Sequence, residues 1–166
     1  MRLGYYSDTE FLTTRLNHLK PNLVEFGRSC VHPDYRSGAV IMLLWAALAQ
    51  YMLDHDYEHV IGCASLSMRD GGHHAASLFN RLKATHFAPP EYHVFPRNPL
   101  PLARLSAMLE VEAPPLVKGY LRIGAQICGG PAWEPDFNSA DFFMLLSLSR
   151  INPRYAKHFG ITPALA

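Results

Sequence analysis

Cysteine, charge and long apolar runs are all scarce in this 166-residue chain. Its three cysteines, Cys30, Cys63 and Cys128, are odd in number, widely spaced and set in apolar runs. That pattern argues against a disulfide framework and is expected of reduced core thiols. Charged residues make up 17% and the formal net charge is +1, so a broadly basic nucleic-acid binder is excluded and only a local basic patch stays open. The longest apolar run, 39–53, is broken by Gln50 and is shorter than the ~20 residues a membrane span needs. The opening "MRLGYYSDTEF" turns polar at once, so no signal peptide is expected. Internal repeats and low-complexity segments are also lacking. His73, His74, His86 and His93 do not follow a zinc-ligand spacing, and no metal is expected. These absences lead to the expectation of a soluble, cytoplasmic protein, with a peripheral membrane contact left open.

What is present is a chain that is 49% apolar, enough for a sizeable core in one domain over 1–166. Residues 1–21 read as polar and irregular. A strand is expected over Leu23–Val31, followed by the turn "HPDYRSG" and a helix capped by Ser37 that runs to about His55. That helix is apolar nearly all round over its first turns, which predicts burial on more than one side. "EHVIGCASL" (58–66) reads as a second buried strand, so the unit is βαβ-like, with the two strands parallel neighbours. A helix is expected after "DGGHH", and a loop-rich stretch with a short strand at Tyr92–Phe95 follows. A further helix opens at Pro114 and Pro115 and ends on Gly129 and Gly130. "DFFMLLSLS" (141–149) reads as another strand and "NPRYAKHF" as a terminal helix. The first strand is apolar on both faces and belongs inside a sheet, yet little before it can supply a neighbour. Another segment, or a second copy in a homodimer, would have to complete the sheet.

Within that strand stand Glu25 and Arg28, separated by Phe26 and Gly27. Three residues is an odd step at period two, so a regular strand points the two charges to opposite faces. A bulge permitted by Gly27, or a splay around 26–28, would bring them to the same cleft and free backbone N–H groups of Phe26, Gly27 and Ser29 to hold an oxyanion. An ion pair at a sheet end is the plainer alternative.

A strand with Glu-x-Gly-Arg, then a turn and an apolar helix, resembles the acyltransferases related to the acyl-homoserine-lactone synthases, a branch of the GNAT (N-acetyltransferase) fold. The blocks "EFGRSCVHPDYRSGAVIMLLW", "IGCASL", "PPLVKGYLRIGA" and "DFNSADFFMLL" are similar, in the same order, to the ornithine-lipid N-acyltransferases, a group also labelled hemolysin-like. The resemblance implies an α/β fold, a GNAT-like mixed sheet flanked by helices. It also implies an N-terminal part that this chain lacks, an exposed edge beside Leu23–Val31, and little activity until that part is restored. The implied reaction moves a (3-hydroxy)acyl group from acyl carrier protein to the α-amine of ornithine, the first step of ornithine-lipid synthesis. N-acyl amino acid or acyl-homoserine-lactone synthesis, or a silent half-domain that binds acyl chains or carrier protein, remain alternatives. No cofactor is implied, the acyl-phosphopantetheine of the carrier being a co-substrate.

On this resemblance Glu25 is the candidate base and Arg28 orients it or binds the amino-acid carboxylate. Coenzyme A users carry Arg-x-x-Gly-x-Gly/Ala, whose amides cradle a pyrophosphate. "RSGAV" offers Arg36, Ser37 and a single Gly38, a reduced cradle that favours a carrier protein. Arg36, Arg69, Lys118 and Arg122 are candidates to receive that acidic partner. The acyl chain is expected between the two strands and the apolar helix, near Phe26, Trp45, Cys63 and Phe143. A two-step mechanism through Cys30 or Cys63 is not favoured, since no histidine stands near either in sequence.

Overall fold

The structure, a computed structural model, describes residues 4–36 and 38–158. Its strands are β1 (Phe11–Leu12), β2 (Leu23–Glu25), β3 (His59–Ser67), β4 (Phe95–Pro96), β5 (Gln126–Ile127), β6 (Ala132–Glu134) and β7 (Ser139–Ser147). Its helices are α1 (Gly38–Asp54), α2 (His73–Lys83), α3 (Pro115–Ile123) and α4 (Pro153–His158), with short 3-10 turns between. The main sheet is mixed and runs β2-β3-β7-β5, with β6 also on β7. The β2 and β3 strands are parallel neighbours, as the βαβ pattern predicts, with Leu23, Val24 and Glu25 opposite His59, Val60 and Ile61. A full nine-residue antiparallel ladder joins β3 to β7 and forms the spine of the sheet.

Period two divides the spine into two faces. Val24, Phe26, Val60 and Leu146 face α1 and α3, where they meet Met52, Ile123 and Trp45. Farther along the same face, Ala64, Leu66, Phe142 and Met144 meet α2 and the start of α3. On the other face Leu23, Ile61, Cys63, Phe143 and Leu145 are covered by Phe11, Leu16, Leu19, Val94 and Cys128. Residues 1–21, read as polar and irregular, thus supply three core side chains. The segment is anchored by the pairing of β1 with β4 and by the Tyr5 hydroxyl, which donates to the Leu23 carbonyl at 2.9 Å. Edge-to-face packing of Phe11 on Phe143, 5.4 Å between centroids, closes that face.

Several expectations are corrected. The first strand ends at Glu25 instead of Val31, so Cys30 is exposed while Cys128 is buried; all three thiols are free. Among the described residues β2 is an edge strand with β3 as its one neighbour, which corrects its placement inside the sheet and agrees with the exposed edge that the resemblance implies. The α1 helix is not buried on several sides: only Ala49 and Met52 are buried, and Leu43 is 70% exposed. The short strand expected at Tyr92–Phe95 is β4, which shares only Phe95 with it, and Pro90–Tyr92 is a 3-10 turn. The α3 helix stops at Ile123 because Gly124 adopts φ 111°, a left-handed cap that frees Gln126 and Ile127 to form β5. The proposed Ser37 cap and the last residue of the expected terminal helix, Phe159, lie outside the described residues.

Candidate active site

The parallel pair β2–β3 comes apart just beyond Glu25. Phe26 N–H still donates to the Ile61 carbonyl at 2.9 Å, and the chain then leaves the sheet, turning at Arg28 with φ 54°. No extra residue enters a continuing ladder: of the bulge or splay expected around 26–28, the structure has the splay. Gly27 has open space around it; the glycine the splay requires is Gly62, where an added Cβ would overlap the Phe26 carbonyl oxygen. Gly62→Ala is therefore expected to destabilise the fold by about 1–3 kcal/mol, as overpacking does. Urea unfolding checks it, and a midpoint equal to that of the unmodified chain removes the close approach from the argument.

Beyond the splay, the β2-side edge of Gly62–Ser67 has no strand beside it among the described residues. The Phe26 amide is engaged in the ladder, which corrects its assignment as a free oxyanion donor. The amides of Gly27, Arg28 and Ser29 have no acceptor among the described residues.

Glu25 lies on the Cys63 face, beneath the N-terminal 3-10 turn Tyr6–Thr9. Its carboxylate accepts from Tyr6 N–H at 2.6 Å, from Ser7 N–H at 2.9 Å and from the Ser7 hydroxyl. Both bonds from Ser7 go to Oε1, so Oε2 keeps an acceptor site. Arg28 is exposed, and among the described residues no ion pair joins it to Glu25. Its charge reaches the Tyr6 phenol, where it opposes a rise caused mainly by burial. The two residues thus border one turn without pairing.

The same face carries a carboxylate pair that the sequence reading missed. Glu10 is 8% exposed and Asp141 4%, and Asp141 stands opposite Ser65 in the β3–β7 ladder. Glu10 Oε2 and Asp141 Oδ1 are buried, and among the described residues no N–H or hydroxyl group donates to either. Burial, followed by a hydrogen bond to Asp141 and the charges of Asp141, Glu134 and Glu25, pushes the Glu10 carboxyl up to about 8. Two carboxylates cannot donate to one another, so one retained proton is what joins them. Cys63, on the same face, is pushed far above the ordinary thiol range, mainly by burial and then by Glu10, Asp141 and Glu25. A thiol so held is a poor nucleophile.

The expected acyl-pocket residues do not share one cavity. Cys63 and Phe143 are register partners on one face, whereas Trp45 stacks on Tyr120 at 5.2 Å and packs over Gly119 on the other. Phe26 lies with Trp45. The basic residues are also scattered. Arg36 donates to the Val31 carbonyl at 3.1 Å, Lys118 is paired with Glu112, and Arg122 is exposed on α3. Gly38 opens α1 with nothing near its Cα. Arg69 lines a cavity of about 420 Å³ with Ser65, Ser67, Phe137 and Ser139.

A family model described as "Acetyltransferase (GNAT) domain" matches residues 1–46, which include Glu10, the splay and the start of α1. The L-ornithine N(alpha)-acyltransferase of Brucella abortus is 36% identical over 168 positions, covering 95% of this chain and 59% of that protein. Those of Rhodobacter capsulatus and Agrobacterium fabrum are 32% and 34% identical, with 93% and 95% of this chain aligned to 62% and 57% of theirs. No solved structure matches the chain. The chain spans about three-fifths of the length of these relatives. Mixed sheet, family model and relatives agree: the chain begins with a match to the GNAT domain and over nearly its whole length is similar to about three-fifths of the L-ornithine N(alpha)-acyltransferases.

Proposed function

We propose that the chain takes part in N-acylation of L-ornithine, with a fatty (3-hydroxy)acyl thioester of acyl carrier protein as donor. The observation that carries this reading is the splay of β2 from β3 at Phe26 and Gly62, next to Glu25. An extended thioester arm has the shape of a strand, and the vacated edge of Gly62–Ser67 offers it backbone partners. Its carbonyl oxygen would meet the unpaired amides of Gly27 to Ser29, which stabilise negative charge there. The neutral α-amine attacks the carbonyl carbon, the nitrogen's surplus proton passes to Glu25 Oε2, and as the carbon–sulfur bond breaks Glu25 gives that same proton, directly or through water, to the leaving sulfur. Arg28, near Tyr6 and without an ion-pair partner among the described residues, is placed to meet the acceptor's carboxylate. The product, an N-acyl amino acid, makes this the first step of ornithine-lipid synthesis. No helix among the described residues is long and apolar enough to cross a membrane. The exposed Leu43, Leu44, Tyr51 and Leu53 of α1 support a peripheral contact with the inner membrane, where the product belongs.

The deciding assay incubates L-ornithine with acyl carrier protein or coenzyme A thioesters and detects N-acyl-ornithine by mass spectrometry. It uses the 166-residue chain and a form extended at its N-terminus with the corresponding part of a relative. Product is expected from the carrier-protein donor, and more from the extended form. Transfer from coenzyme A alone would overturn the donor assignment, and product from neither form would overturn the enzyme reading in favour of a silent module.

A further inference from the structure

We propose that Glu10 and Asp141 form the seat for a primary ammonium on the acceptor's side chain, selecting a dibasic over a neutral amino acid. The inference rests on the acyl-transfer reading for what the acceptor is, but it stands on geometry of its own. Both carboxyls are more than nine-tenths buried, and each holds an oxygen to which no N–H or hydroxyl group of the described residues donates. Such groups are not left unpaired without a cost comparable to a lost charged hydrogen bond. A carboxylate pair kept only for stability would be replaced to advantage by apolar residues.

The place is right for a ligand to enter. Ser65, opposite Asp141, and Ser139, two residues before it on the same face, both line the cavity of about 420 Å³. The pair also stands clear of the splay. Gly62 is opposite Met144, so Asp141 lies three residues, roughly 10 Å, further along the strands. That separation leaves room for an acceptor whose α-amine is at the splay and whose side chain runs along β3.

The surrounding charges favour a cation. Glu10 from the N-terminal turn and Asp141 from β7 are joined electrostatically by Glu134 from β6 and Glu25 from β2, and Cys63 of β3 stays a neutral thiol. Two cations stand nearby: Arg28, exposed at the splay, whose charge reaches the Tyr6 phenol, and Arg69, exposed on the rim of the cavity; neither is among the charges acting on Glu10. An ammonium brings three N–H donors and can satisfy both orphan oxygens at once. In doing so it replaces the proton that joins the two carboxyls, and that proton goes to solvent.

Calorimetry on the 166-residue chain with L-ornithine and with L-norvaline, which lacks the side-chain amine, tests this. Ornithine is expected to bind about 10–100-fold more tightly. It should release close to one proton per molecule bound at pH 7, read from buffers of different ionisation enthalpy. Glu10→Gln and Asp141→Asn, near-isosteric changes, should each reduce ornithine to the norvaline level, while Glu110→Gln on the exposed loop should not. Melting curves of the two variants confirm that they are folded. Equal binding of the two ligands, no binding at millimolar concentration, or a preference that survives both variants overturns the assignment. The acyl-transfer assay run alongside separates the two readings. Transfer without discrimination sinks the ammonium seat alone, and discrimination without transfer sinks the enzyme reading alone.

Discussion

Glu25→Gln is expected to lower turnover by about 10²–10⁴-fold, measured as N-acyl-ornithine formed per minute in whichever form of the protein is active. The argument is one of acceptor sites. Oε1 is filled by the Ser7 N–H and hydroxyl, and Oε2 takes one bond from Tyr6 N–H. One oxygen is therefore a fixed anchor and the other keeps room for a proton, in a carboxylate held still by three donors. A glutamine cannot accept that proton, and its NH₂ must face at least one of those donors. The structural part of the loss needs separating from the chemical part, and Ser7→Ala does so. It removes one donor from the same carboxylate, at about 1 kcal/mol of stability, and leaves the proton acceptor intact. Turnover in Ser7→Ala is expected to stay within tenfold of the unmodified protein. Should Glu25→Gln also stay within tenfold, Glu25 is an anchor for the Tyr6–Thr9 turn and the base lies elsewhere.

How much of this was legible beforehand can be read from individual residues. The parallel neighbours β2 and β3 were legible because two apolar runs flank a helix with short connections. Glu25 was legible because a carboxylate in an apolar strand demands partners. Asp141 carries the same signal, in "SADFFMLLS", with every residue from Ser139 to Leu145 buried. It passed unused because the block was read as a strand only. Glu10 was not legible at all. Its burial depends on a two-residue strand whose neighbour, Phe95–Pro96, is far along the chain, and no local pattern announces that pairing. The single acyl pocket failed for a reason the sequence did contain. Cys63 is odd and Val60 even along one strand, so Cys63 cannot share a face with the residues that meet α1. Gly27 was credited with the irregularity of β2 because it lies inside the strand. The close approach is made by Gly62 on the neighbouring strand, visible only once the register is known.

Between pH 6.5 and 8 the folded chain should lose stability as pH rises, and Glu10→Gln should abolish that fall. The Glu10 carboxyl moves from an ordinary 4.5 to about 8 on folding. Across that interval the folded state holds a proton that the unfolded state has released, so the unfolding free energy falls with pH. The contribution is fully present below the unfolded value and is gone above about 8. Its slope is on the order of 1 kcal/mol per pH unit. The lower half of the interval is obscured by His59, whose pKa burial pushes down from 6.5. Neutral His59, bonded through Nδ1 to the Ser147 hydroxyl at 2.8 Å, contributes stability that is lost as pH falls, the opposite sign. Asp70 and Glu112, both shifted down, act only in more acidic solution. Cys63 and Cys128, both shifted up by burial, act only above the ordinary thiol value of 9. From 6.5 to 8 the Glu10–Asp141 pair therefore gives the one fall with rising pH, against a small opposing rise from His59 near 6.5. In Glu10→Gln the amide donates to Asp141 without a titrating proton, so the urea midpoint should not fall between pH 6.5 and pH 8, and the tail of the His59 titration should raise it slightly. In the unmodified chain the midpoint should be lower at pH 8. A fall that persists in Glu10→Gln would mean that the two carboxyls do not share a proton, and the seat for an ammonium between them would lose its physical basis.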